Sequence, residues 1–213
     1  MGKVRANTAI SLDGYVAGSN QGEENPLGEG GEQLHEWMFT LKAWRESHGE
    51  EGGDVNPSTE AVEQMHANVG AFVMGRNMFG PIRGEWEDDS WKGWWGDDPP
   101  YHAPVFVLTH HDREPVAMEG GTTFYFVTDG IESALEQARR AAGDQDVLVA
   151  GGASAIRQYL AAGLVDELHL HLAPVVLGDG ERLLEGVGSE VTLEQLRAVE
   201  APGVVHLYYR VVK

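Results

Sequence analysis

The chain has no cysteine among its 213 residues, which excludes disulfides and any thiolate nucleophile or metal ligand. No run of 18 apolar residues occurs, so no segment reads as a membrane-spanning helix. Positive charge is scarce: 15 lysines and arginines face 34 aspartates and glutamates, for a formal net charge of −19. That balance argues against nucleic acid and anionic membrane as partners. A phosphate-bearing ligand would need local compensation from arginines and helix N-termini. Met1-Gly-Lys-Val-Arg leads into a strand-like segment without the apolar core of a signal peptide, so a cytoplasmic protein is expected. No repeat or linker interrupts the chain, and one domain over 1–213 is expected.

What is present is an alternation of apolar runs and helical patterns. Residues 4–10 read as a first strand ended by the turn Asp13-Gly14. Between 33 and 44 the residues Leu34, Trp37, Met38, Leu41 and Trp44 keep helical spacing, and Pro57-Ser-Thr-Glu starts a second helix running to Ala67. Buried strands follow at 70–75, 104–109 and 122–128, then a helix at about 131–142. A strand at 146–150 runs into Gly151-Gly152 and a further helix. The alternating stretch 166–174 and the terminal strand 204–212, partnered by 191–199, close the chain. Strands alternating with helices before a run of strands imply an α/β sheet, parallel in part with an antiparallel edge.

Several sites have both a structural and a functional reading. A strand ending in two glycines and opening a helix is either a plain tight turn or a place where a phosphate or nicotinamide ring can approach bare backbone. Gly75-Arg76-Asn77 follows a buried strand, with an arginine able to fork onto a phosphate. Asp13-Gly14 is a good turn that also offers a carboxylate for holding a ring nitrogen or passing a proton. Trp86, Trp91, Trp94 and Trp95 crowd the loop 84–103, which either plugs the domain or roofs a pocket for a planar substrate. His110 and His111 are adjacent and lack a third ligand at metal spacing, so no metal site is expected. His169 and His171 alternate with leucines, as core or interface histidines do.

Taken in order, Ser11-Leu-Asp-Gly14, Met74-Gly-Arg-Asn-Met-Phe79, Val107-Leu-Thr109, Gly151-Gly-Ala-Ser154 and Asp166-Glu-Leu-His-Leu with Pro174-Val-Val-Leu-Gly178 resemble the dihydrofolate-reductase-like superfamily. The resemblance is to the reductase (C-terminal) domain of the bacterial bifunctional riboflavin-biosynthesis protein, and it covers nearly the whole chain. It implies a mixed, mostly parallel central sheet of about eight strands flanked by helices, NADPH as cofactor, and hydride transfer to a small heterocycle. Carried onto this chain, it places cofactor contacts at Ala9, Gly75, Arg76, Asn77, Thr109, His110, Gly151, Gly152, Ala153 and Ser154. Asp13 takes the catalytic role in that pattern; from the residues themselves, Trp37, otherwise core, and Trp91 of the tryptophan loop are the candidates to border the substrate. Met78 stands where the family usually has a phosphate-binding threonine. A homodimer is implied, with apolar strand surface at 166–176 and 204–212 covered by a second copy. The first substrate implied is a phosphoribosylamino-uracil; dihydrofolate or another pterin, and a nucleotide-binding module without turnover, are the alternatives.

Overall fold

The computed structural model describes residues 2–81, 83–86 and 90–212, without the side chain of Ser47. In chain order the strands and helices are β1 (Val4–Ile10), β2 (Tyr15–Ala17), α1 (Glu36–Phe39), α2 (Lys42–Ser47), α3 (Pro57–His66), β3 (Val69–Gly75) and α4 (Arg76–Phe79). They continue with β4 (Pro104–Leu108), β5 (Val116–Ala117), β6 (Thr123–Val127), α5 (Gly130–Ala142), β7 (Asp146–Gly151) and α6 (Ala153–Ala161). The last four are β8 (Glu167–Leu172), β9 (Glu181–Arg182), β10 (Thr192–Ala201) and β11 (Val204–Val212). Among the described residues, nine strands are assigned to the main mixed sheet, close to the expected eight. The chain divides into two compact units, Met1–Ala6 with Asn68–Asp166, and Asn7–Ala67 with Glu167–Lys213.

The first unit is built on parallel pairing. β7 lies between the start of β1 and β3, and β4 and β6 follow in parallel, with β5 antiparallel at the edge. The inner strands β3, β4 and β7 read as almost unbroken apolar runs and are largely buried, whereas β6 exposes Tyr125. Helix α5 packs on β3 and β4 through Ala134, Leu135, Ala138 and Ala142, a stripe at spacings of one, three and four residues. Phe72, Met74, Phe79, Val105, Val107, Phe124 and Leu148 form its core.

The second unit is antiparallel. β11 runs between β10 and β8, in register from Thr192↔Val212 to Ala201↔Val204 on one side and from Val205↔Leu172 to Arg210↔Glu167 on the other. The expected helix over 33–44 is broken. A 3-10 turn at Gly31–His35 and α1 precede Leu41, which turns extended and bridges to Asp54 before α2 begins. Asp54 donates to Thr40 O and accepts from Lys42 N, so the polar loop after α2 folds back and takes the backbone groups that a continuous helix would have used. Helix α3 starts as expected at Pro57, with Asn56 as the cap: its Oδ1 accepts from Ser58 N at 2.8 Å.

Candidate functional site

In the first unit the parallel strands finish level with one another. Met74 pairs with Gly151, Gly75 with Leu108, and Leu108 with Val127. Gly152, Arg76 and Thr109 therefore emerge side by side at the carboxyl ends of the strands, where ligands of open α/β sheets bind. The two glycine steps are neighbours, since a Cβ built on Gly75 would lie 3.6 Å from Ala155 Cβ and 3.7 Å from Gly152 N.

The glycine pair serves two different needs. Gly151 has φ +137°, a conformation side chains rarely adopt, and a Cβ there would come within 3.1 Å of Met78 Sδ. Met78 thus closes the space beside that glycine. Gly152 has ordinary angles, φ −71° and ψ −168°, and a Cβ would meet nothing within 4 Å. Neither the φ and ψ angles nor the space around a Cβ require glycine at 152. It is the N-cap of the nine-residue α6 and gives no side-chain cap, so bare backbone faces open space ahead of Ala153 and the exposed Ser154.

Beside this step sits a group of cations. Arg76 donates through Nη1 to Thr109 Oγ1 at 3.3 Å, and its guanidinium carbon lies 3.5 Å from the centre of the Trp86 ring. Its Nε and Nη2 are out of solvent and have no hydrogen-bond partner among the described residues. Those two nitrogens form one edge of the guanidinium, the geometry that takes two oxygens of a phosphate or carboxylate. Arg113 is buried with its guanidinium 4.8 Å from the same indole and 5.1 Å from Phe126. Arg83, exposed, donates to Gly80 O at 3.0 Å. Desolvation, followed by the charges of Arg83 and Arg113, pushes the Arg76 pKa below its usual value. Leaving a buried donor unsatisfied costs about 1–3 kcal/mol, more for a charged group. Such an arrangement, in a chain with net charge −19, has the form of an anion site. Asn77 and His110 are exposed nearby in sequence but make no bond to Arg76 among the described residues.

Arg83 and Arg113 were not legible as site residues, and Trp86 was legible only as one of four loop tryptophans that either plug the domain or roof a pocket. All three lie in irregular stretches, where no period relates position to direction. The loop 84–103 packs on the first unit. Trp91 donates to Phe79 O at 3.0 Å, Trp95 meets Tyr101 edge-on at 5.0 Å, and Trp86 donates to His111 O at 3.0 Å. A Cβ on Gly80 would overlap the Trp91 indole, so the ring is seated directly against backbone. These contacts seat the rings on the first unit while leaving Trp86, Trp91 and Trp95 half-buried. Glu87, Asp88 and Asp89 of this loop lie outside the described residues.

In the second unit Asp13 is an anchor. Its Oδ1 accepts from Ser11 Oγ at 2.6 Å and from Leu177 N at 3.1 Å, and its Oδ2 accepts from Gly178 N at 2.7 Å. The Ser11 hydroxyl, then the amides of Gly178 and Leu177, hold the carboxyl down to about 2. A carboxylate so occupied is a poor proton donor near neutral pH, and it ties the turn after β1 to the loop after β8. Ala9 is buried against Leu34 and Ala173.

Trp37 is also buried. Its Nε1 donates to Leu34 O at 3.0 Å, and its ring lies 5.4 Å from His171 and 5.0 Å from His206. That is core packing, and it leaves the indole no face for a substrate. The two histidines form a relay. His171 Nε2 meets Asn7 Oδ1 at 2.8 Å, the two Nδ1 atoms meet at 2.7 Å, and His206 Nε2 meets Ser58 Oγ at 2.9 Å. With both rings neutral, one proton arrangement satisfies all three contacts. His171 Nε2–H donates to Asn7, His206 Nδ1–H donates to His171 Nδ1, and the Ser58 hydroxyl donates to His206 Nε2. A second proton on His171, at Nδ1, would set its N–H against His206 Nδ1–H, whereas one on His206, at Nε2, would face Ser58 Oγ, which can accept it. Burial, and for His171 the neighbouring His206, holds both below the usual imidazole range.

Among the described residues no group of three or more histidines or carboxylates is placed to hold a metal, and no helix is long and apolar enough to cross a membrane.

Comparison with known proteins bears on this geometry. A curated relative, the uncharacterized protein YyaP of Bacillus subtilis (strain 168), is 30% identical over 118 residues, 53% of this chain and 62% of that protein's length. Among solved structures, a Shewanella sp. PV-4 protein named for riboflavin biosynthesis superposes with a TM-score of 0.64 at 20% identity, over 99% of each chain. Dihydrofolate reductase from Enterococcus faecalis, in complex with NADP(H), superposes with a TM-score of 0.55 at 14% identity, over 100% of this chain and 98% of that one. The fold is dihydrofolate-reductase-like. The family profile described as the RibD C-terminal domain matches residues 2–207, and the chain belongs to that family.

Proposed function

We propose that the protein is an NADPH-dependent reductase that passes hydride to a small heterocycle. The observation carrying this reading is the junction at the strand ends of the first unit, where Gly75 and the bare Gly152 step adjoin Arg76 with an unused fork edge. A dinucleotide needs backbone for its pyrophosphate and a fork for a phosphate monoester. Membership of the RibD C-terminal domain family and the fold shared with an NADP(H)-binding dihydrofolate reductase support it. When bound, the nicotinamide would supply hydride. The chain's residues would bind and orient it: Gly75, Gly151, Gly152, Ala153 and Ser154 along the pyrophosphate, and Arg76 with Thr109, Asn77 and His110 at the adenosine phosphate. Asp13 holds the turn after β1 in place, an orienting role rather than proton donation.

The substrate favoured by the family is a phosphoribosylamino-uracil. A second copy of the chain is the partner this reading includes. Leu168 and Leu170 of β8 are already buried within one copy, so the surface offered is the β10–β11 hairpin, where Leu196 and Val212 are exposed. A cytoplasmic location completes the reading. Oxidation of NADPH followed at 340 nm separates the alternatives. Turnover with 5-amino-6-(5-phosphoribosylamino)uracil supports the proposal, turnover with dihydrofolate alone transfers it to pterins, and NADPH binding without any turnover leaves a binding module. Sedimentation at micromolar concentration tests the dimer, a monomer of 23.2 kDa being the adverse result.

A further inference from the structure

Trp86 touches Arg76 more closely than any other ring contact described in the first unit, and it is itself pinned. Its guanidinium-to-centroid distance is 3.5 Å, its Nε1–H donates to His111 O at 3.0 Å, and it meets Phe79 and Phe126 edge-on at 6.0 and 5.3 Å. A flat ring held on three sides forms a fixed wall rather than a swinging one. Stacking fixes the plane of the guanidinium but not its rotation within that plane. Among the described residues the one polar contact of Arg76, to Thr109 Oγ1, is long at 3.3 Å and easily exchanged. The Nε and Nη2 edge can therefore turn toward an incoming anion while the ring contact is kept. Without the ring, the arginine would have to be ordered at the moment of binding, and affinity would fall by that ordering cost.

We infer that Trp86 is a specificity-determining positioning residue: by holding Arg76 flat, it makes this junction selective for a ligand bearing a phosphate monoester. The inference rests on the cofactor reading above, and it deepens that reading by naming what sets the preference for the phosphorylated cofactor. A phosphate monoester has two possible sources, the adenosine 2′-phosphate of NADPH and the ribose phosphate of a substrate. The position of Arg76 beside the Gly75 and Gly152 backbone favours the first, because both must serve one dinucleotide.

The test is calorimetric titration of the wild type, Trp86→Met and Trp86→Phe with NADPH, NADH, adenosine 2′-monophosphate and ribose 5-phosphate. Methionine fills the space without a π face, and phenylalanine keeps the face but loses the N–H. Trp86→Met should weaken NADPH about tenfold, within the range of a stacked cation–aromatic contact, and change NADH less than twofold. Trp86→Phe should keep most of the NADPH preference, and adenosine 2′-monophosphate but not ribose 5-phosphate should compete with NADPH. Equal losses for both cofactors in folded Trp86→Met, or tighter NADPH binding, overturn the inference, the latter marking the indole as a cover. Competition by ribose 5-phosphate overturns the choice of source. If Trp86→Met does not fold, Trp86→Phe decides: a collapse of preference despite the retained ring overturns the inference, and retention supports it. A wild type indifferent to the 2′-phosphate refutes the cofactor reading itself, which is a distinguishable result.

Discussion

Two clusters of buried nitrogen atoms set the units apart. In the second unit, Asn7, His171, His206 and Ser58 form a relay in which all four imidazole nitrogens have partners, in one proton arrangement. In the first unit, Arg76 keeps two buried nitrogens with no partner among the described residues, beside two further arginines. A satisfied network specifies a fold; an incomplete one stores a binding preference that the free chain cannot use.

The comparison breaks first on stability. His171→Leu leaves Asn7 Oδ1 and His206 Nδ1–H without partners, two groups at about 1–3 kcal/mol each, so a loss of about 2–6 kcal/mol is expected in urea unfolding. Arg76→Leu removes orphaned donors and should leave the ligand-free midpoint unchanged or raised. Equal destabilisation by the two would end the distinction.

Next comes ligand affinity. Arg76→Leu should weaken NADPH by about 1.5–3 kcal/mol in calorimetry, the range of a hydrogen bond to a charged group, with NADH nearly unaffected. His171→Met, where it folds, should not alter the ratio of the two affinities. Gly152→Val sharpens the same point on the backbone. Its angles suit any residue, so the variant should stay folded and soluble by circular dichroism while losing most of its NADPH affinity. Binding at the parental level would reduce the glycine pair to a turn.

Acid titration gives a smaller and more selective effect. His171 and His206 have folded pKa values below their unfolded value of about 6.5, so the unfolded chain binds more protons on acidification. Their contribution is complete above about pH 6.5 and is lost as pH falls below it. The urea midpoint of the wild type should therefore decline through that window, and that of His171→Leu should decline less steeply. Arg76→Leu should follow the wild-type slope. The smallest effect belongs to Asp13→Asn. The wild-type carboxyl is held at about 2 against its ordinary 3.8, so its contribution is present above about pH 4 and fades toward pH 2. The variant should lose that acid limb, and the pH–rate profile of the wild type between 5 and 9 should carry no Asp13 ionisation.

Much of this was readable from residue order alone. The boundaries of β3, β4, β7 and β11 follow from continuous apolar runs, since a strand buried on both faces must be apolar throughout. Gly75, Arg76, Gly151 and Gly152 were identifiable because a strand end followed by glycine and a helix is a local pattern. The helix expected over 33–44 failed because its apolar spacing is also what a broken pair of turns buries. The competing bridge from Leu41 to Asp54 depends on a loop with no periodicity. Asp13 was correctly located on its turn, but its partners Leu177 and Gly178 lie far along the chain, so its anchoring role was hidden. Trp37 read as core that could also border a pocket, and its burial was decided by His171 and His206, which come from distant strands.

The sequence by itself determined the α/β class, the glycine steps at the strand ends, the absence of thiol chemistry and the scarcity of cations that makes every buried arginine conspicuous. These are properties of composition and of spacing within a few residues, and hydrophobic periodicity and backbone sterics act at that range. Tertiary structure alone decided which cations gather and which polar groups are left incomplete. Arg76, Trp86 and Arg113 meet, and Asn7, His171, His206 and Ser58 close their relay, only after strands and loops distant in sequence have packed. Hydrogen bonds and cation–aromatic contacts require ångström-scale placement, and no local pattern encodes a distance between residues a hundred positions apart.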